Sequence, residues 1–162
     1  MISSKRIYDD FIGLCELLLE NIFLLEKEEK LIDFITNLLE SCNILAEDQL
    51  ERTDTKNTQA AKTIKSILDE NLGNNLTLIN ISSQIGFSIT HCLRLFKKEY
   101  GLPIHAYILN QKVHKAKELL SMNMPILDVA IESGFFDQSH LTKSFKQIFQ
   151  VTPKQYQNGI FG

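Results

Sequence analysis

The stretch Gly134-Phe135-Phe136-Asp137-Gln138-Ser139-His140-Leu141-Thr142-Lys143-Ser144-Phe145-Lys146 reads as a tight glycine turn feeding a helix with one polar face. Gly134 stands where the preceding helix, expected over Ile126 to Ser133, needs a left-handed residue to stop. Asp137 can accept a bond from the first free amides of the next helix. Leu141 and Phe145 point inward at i, i+4, which leaves Gln138, Ser139, Thr142 and Lys143 outward. Such a face suits base edges and phosphates, although an ordinary amphipathic helix with a solvated side has the same composition.

The surrounding chain narrows that choice. It has 162 residues, 44% of them apolar, which supports packed domains rather than disorder. Its apolar runs are short and broken by charge, far below the roughly 20 residues of a membrane span. Lys5 and Arg6 are followed at once by Asp9 and Asp10, so no signal peptide is expected. Cys15, Cys42 and Cys92 lack C-x-x-C spacing, which argues against a disulfide framework and a zinc site and for the cytoplasm. The net charge of −3 is uneven. Residues 1–57 hold 6 Lys/Arg against 13 Asp/Glu (−7), while residues 58–162 hold 11 against 7 (+4). The second part is therefore the one able to approach a polyanion.

In the acidic part Ile7, Phe11, Leu14, Leu18 and Ile22 recur at helical steps, and so do Leu31, Phe34, Ile35, Leu38 and Leu39. A helical hairpin follows, with its turn in Asn21 to Lys30. Two such helices cannot bury both stripes against each other. A second copy of the chain, the C-terminal part or an absent domain must cover the remainder. Ser41 to Thr58 is polar and reads as a linker, or as a fraying helix end.

The basic part opens with a helix over Gln59 to Leu72, stopped by Gly73-Asn74-Asn75. After it the sequence repeats. Gly86-Phe87 matches Gly134-Phe135 at an offset of 48, and His91, Phe96, Lys97 and Tyr107 match His140, Phe145, Lys146 and Tyr156 at 49. One inserted residue after Phe135 reconciles the offsets, as in a duplicated helix-turn-helix. In the first copy Leu78, Ile81 and Ile85 mark a short helix ended by Gly86. Ser88 caps a second helix to about Tyr100, with Thr90, His91, Leu93 and Arg94 as its outward residues. Leu102 to Met122 is long enough for a connector of about 18 residues, roughly 27 Å, burying Tyr107, Val113, Ala116 and Leu120. The second copy opens at Pro125. Thr152-Pro153-Lys154-Gln155 combines a capping Thr, a first-turn Pro and a Gln three residues after the cap, and so starts a last short helix.

Residues from about Gln59 to Gln157, three fifths of the chain, resemble the DNA-binding domain of the AraC/XylS family of bacterial transcription regulators. The resemblance is carried by Gly86 to Gly101, by Tyr107 to Leu120, and most specifically by Ile126 to Lys146 followed by Val151-Thr-Pro-Lys-Gln-Tyr156. Departures from the family pattern are Ser82, Cys92, Lys112 in place of Arg, Gln150 in place of Gly, and Gln157. Lys112 lacks the bidentate fork of Arg, which puts one interhelical or phosphate tie in doubt.

The resemblance implies an all-α chain, with an N-terminal helical hairpin and a seven-helix domain of two helix-turn-helix units joined by a long connector helix. It implies a dimerising acidic region over residues 1–57 and a DNA-binding domain over residues 58–162. Double-stranded promoter DNA is the expected partner, and activation would add RNA polymerase. The base-reading residues it implies are Thr90, His91, Leu93 and Arg94 in one helix and Gln138, Ser139, Thr142 and Lys143 in the other. Lys97, Lys98 and Lys146, with the helix N-termini at Ser88 and Asp137, would hold phosphates. The family's upstream sensor barrel has no counterpart here, so the chain is expected to be a fragment or short form whose effector is unknown. No cofactor, metal or catalytic group is expected. The competing reading is a helical interaction module, dimerising through the acidic hairpin and lacking specific DNA binding.

Overall fold

The computed structural model describes residues 4–20, 22–41, 54–72 and 76–161, and among these every regular element is a helix. In order they are α1 (Ser4–Leu19), α2 (Leu24–Ser41), α3 (Asp54–Glu70), α4 (Leu78–Ile85), α5 (Ile89–Tyr100), α6 (Ile104–Ser121), α7 (Ile126–Glu132), α8 (Gln138–Phe149) and α9 (Pro153–Phe161). They divide into two compact units, residues 1–67 with 76–104, and residues 68–75 with 105–162.

In the first unit α1 and α2 form the hairpin. Phe11 and Phe34 meet at 6.0 Å, and Leu14 and Leu25 are buried. The Lys27 ammonium donates to the Leu18 carbonyl at 2.7 Å, placing a cation at the negative end of α1. α2 starts earlier than expected, at Leu24. The charged run Glu26 to Lys30 belongs to its first turns rather than to the connection, which is only a few residues long. α2 also packs on α4, so part of the apolar stripe is covered by the C-terminal part of the chain. Ala61, Ile64 and Ile67 of α3, Leu78 and Ile81 of α4, Cys92, Leu93, Leu95 and Phe96 of α5, and Ile104 complete the buried set.

The stretch read as a linker is corrected at its end. Residues 54–58 are the first residues of α3, and Asn57 is buried. Polar residues are at home in a first helical turn, where backbone amides lack partners, so polarity alone did not mark a loop. Residues 42–53 and the stop at Gly73-Asn74-Asn75 lie outside the described residues.

The second unit is built on α6, which has the expected 18 residues. Tyr107, Val113, Ala116 and Leu120 are buried as expected, with Val129, Ala130, Leu141 and Phe145 from α7 and α8. The Tyr107 hydroxyl donates to the Asp69 carboxylate at 2.6 Å. Phe145 meets Phe149 at 4.8 Å and Tyr156 at 5.6 Å, and the Lys117 ammonium lies 4.9 Å from the Phe149 ring centre. The capping box before α9 forms: the Gln155 amide donates to Thr152 Oγ1 at 3.2 Å, and the Thr152 amide donates to Gln155 Oε1 at 2.9 Å.

Candidate nucleic-acid interface

Each unit contains one helix-turn-helix whose second helix is set by the same local chemistry. In the first unit α4 stops at Gly86 (φ 73°), whose amide donates to the Ser82 carbonyl at 2.9 Å. Ser88 then caps α5 by accepting the His91 amide at 3.3 Å. In the second unit α7 stops through Ser133 and Gly134 (φ 76°), and the Phe135 amide donates to the Ala130 carbonyl at 2.8 Å. Asp137 caps α8 by accepting the His140 amide at 2.7 Å. His91 stands edge-on to Phe87 at 4.7 Å, and His140 edge-on to Phe135 at 5.2 Å. Both histidines therefore serve as aromatic packing that fixes the turn against the helix.

The faces left outward follow from that packing. On α5 Arg94, Lys97 and Lys98 are exposed and Thr90 is half-buried. Thr90, Arg94 and Lys97/Lys98 recur at helical spacing and share one side. His91 is half-buried. Leu93, expected to face outward, is a correction: it is only 7% exposed and joins Cys92 and Phe96 in the core. Its counterpart 49 residues on, Thr142, is half-buried. This helical position borders the core, and an apolar side chain there is drawn in.

On α8 Gln138, Ser139, Lys143 and Lys146 are exposed. The Thr142 hydroxyl donates to the Gln138 carbonyl at 2.7 Å, which leaves its lone pairs as acceptors. Asp137 and Ser88 are exposed at the helix starts, with their side-chain oxygens engaged by the helices they cap.

Two residues at the second turn were not singled out by sequence reasoning as part of its geometry. Phe136, the inserted residue, is exposed and lies stacked on His140, with ring centres 5.7 Å apart and planes 16° from parallel. The insertion itself was the signal. Lys112 is buried, and its ammonium donates to the Gly134 carbonyl at 2.9 Å. Lys112 thus ties α6 to the backbone of the turn. A Cβ on Gly134 would lie 3.2 Å from that nitrogen, so position 134 is restricted by space as well as by φ.

Burial tunes the groups behind these faces. It lowers Lys112 to about 8, with repulsion from Lys115 as a smaller cause. It also lowers His140 below its ordinary 6.5; Asp137 opposes the shift while Lys112 and Lys143 add to it, so the imidazole is neutral at pH 7. Cys92 is pushed up to about 11 by burial, so its thiol stays protonated. No helix among the described residues is long and apolar enough to cross a membrane.

Comparison with known proteins places this geometry. Residues 81–159 match a helix-turn-helix domain. Multiple antibiotic resistance protein MarA of Escherichia coli K12 is 42% identical over 105 residues, covering 62% of this chain and 82% of MarA. The HTH-type transcriptional activator AarP of Providencia stuartii is 32% identical over 90 residues, covering 55% and 67%. Among solved structures, the C-terminal domain of the two-component response regulator yesN from Fusobacterium nucleatum aligns with TM-score 0.56 at 32% identity, over 61% of this chain and 98% of that one. An AraC-type regulator from Chromobacterium violaceum shares the fold with TM-score 0.58 at 22% identity, over 65% and 95%. These findings disfavour the interaction module without DNA binding. With two capped helix-turn-helix units and these relatives, the chain belongs to the AraC/XylS family of DNA-binding transcription regulators.

Proposed function

We propose that the chain is a sequence-specific transcription activator that inserts α5 and α8 into successive major grooves, about 34 Å apart in straight duplex. One observation carries this reading: the arrangement of left-handed glycine, packed Phe–His pair, capping oxygen and polar helix face is built twice, with only the cap and the polar face changed between copies. Thr90 and Arg94, with His91 at their margin, read one half-site. Gln138, Ser139, Thr142 and Lys143 read the other. Arg94 is suited to a bidentate guanine contact and Gln138 to adenine. Lys97, Lys98 and Lys146 hold phosphates. At Ser88 and Asp137 the donors are the backbone amides of the helix starts, since the Asp137 carboxylate would itself repel an anion.

Functional labour divides at about residue 57, with residues 58–162 carrying DNA recognition. Residues 1–57 join two copies, a reading supported by Tyr8, Phe11 and Ile12 of α1 and Leu31 and Ile35 of α2, all exposed. Activation is supported by the name of AarP, and RNA polymerase is the partner that activation requires. A DNA partner is consistent with the cytoplasm.

The test uses the full chain with its own upstream DNA and a random duplex of equal length. Binding to the former is expected to be tighter and to fall steeply with salt. A promoter–reporter fusion is expected to rise when the protein is expressed. Equal binding to both duplexes at low salt contradicts specific reading, and a fall in the reporter contradicts activation.

A further inference from the structure

The geometry points to Glu28, in the acidic hairpin, as a residue that positions the first DNA-reading helix; this rests on α5 being a reading helix. The first amides of any helix lack partners within it. At α4 the capping box of Thr77 and Asn80 engages two donors, the Asn80 amide to Thr77 Oγ1 at 3.2 Å and the Thr77 amide to Asn80 Oδ1 at 3.3 Å. The Leu78 amide, the first of the helix proper, is outside that box. The Glu28 carboxylate, 50 residues away in sequence, accepts it at 2.7 Å. The bond is charge-assisted and places an anion at the positive end of the α4 dipole. Leu78 is buried, and so is Glu29 next to Glu28, so the bond joins two packed segments.

Displacement of α4 is passed on with little slack. Only Gly86, Phe87 and Ser88 separate α4 from α5, the two helices pack together, and the turn is closed by Gly86 and by Phe87 against His91. At the start of α7, by contrast with Thr77, the residue before the helix is Pro125, which makes no side-chain cap. The hairpin thus acts on one half-site selectively, and an occupant of the hairpin would be felt first by Arg94.

The experiment measures binding of the full chain to its promoter duplex for Glu28→Gln, Glu28→Ala, Arg94→Ala, Gln138→Ala and the pairwise combinations. Glu28→Ala is expected to weaken binding about three- to tenfold, the scale of a lost cap, and Glu28→Gln, which keeps an acceptor, by less. The combination with Arg94→Ala is expected to fall well short of the product of the single effects, while that with Gln138→Ala multiplies. Hydrogen exchange at the Leu78 amide is expected to quicken in both Glu28 variants. If the alanine variant does not fold, the glutamine variant decides through the same readings. Unchanged binding in a folded variant, tighter binding, or equal coupling to Arg94 and Gln138 overturns the proposal. Failure of the parent reading is distinct: there Arg94→Ala and Gln138→Ala alone leave promoter preference unaltered.

Discussion

The two helix-turn-helix units hold the same local geometry with supports of opposite sign at opposite ends. In the first, an anion from α2, Glu28, meets the amide end of α4. In the second, a cation from α6, Lys112, meets the carbonyl end of the turn after α7. Each sign matches the helix end it faces. The turns differ as well, three residues between α4 and α5 against five between α7 and α8. The second helices of the two units end differently too, at Gly101 (φ 74°) after α5 and at Gln150 (φ 61°) after α8. The lesson is that the local turn of glycine, Phe–His pair and capping oxygen can be kept while the more distant contacts that support it are replaced.

The largest expected effect breaks both reading faces at once. Arg94→Ala with Gln138→Ala removes the two proposed base contacts, about 1–3 kcal/mol each, so promoter affinity measured by fluorescence anisotropy should fall on the order of a hundredfold or more. A smaller effect separates the turns. Gly86→Ala meets only the φ penalty, about 1–2 kcal/mol, because no atom lies within 4 Å of its added Cβ. Gly134→Ala also crowds Lys112, so its loss in urea denaturation should be the greater of the two.

Next comes pH. The folded pKa of Lys112, about 8, lies below the ordinary 10.5, so between those values the unfolded chain binds more protons and stability rises with pH. The stability of the native protein relative to Lys112→Met should therefore improve from about pH 8 to 10.5. His140 is depressed in the same sense from 6.5. Its contribution is present above pH 6.5 and is lost as pH falls through the lower folded value, a slope that His140→Gln should remove. The smallest effect is a gain: Gln150→Gly relieves a left-handed non-glycine residue and should raise stability by about 0.5–1 kcal/mol in thermal denaturation.

What could be read beforehand was local. Gly86, Ser88, Gly134, Asp137 and Thr152 act within a few residues of themselves, so their caps and turns were visible as residue types at fixed spacing. The start of α2 was not, because Glu26 to Lys30 is charged and the helix there is fixed by packing rather than by an apolar stripe. Leu93 misled because its helical position lies at the core margin, where residue type decides the direction. The pairings Glu28 to Leu78 and Lys112 to Gly134 join residues 50 and 22 apart, and periodicity carries no information about such contacts.

The central claim is that each unit reads its own half-site, and hydroxyl-radical footprinting of the promoter tests it most directly. Two protected patches on one face of the duplex, about 10 bp apart, are expected, with Arg94→Ala weakening one and Gln138→Ala the other. A single patch, or both patches fading together in either variant, would contradict the account.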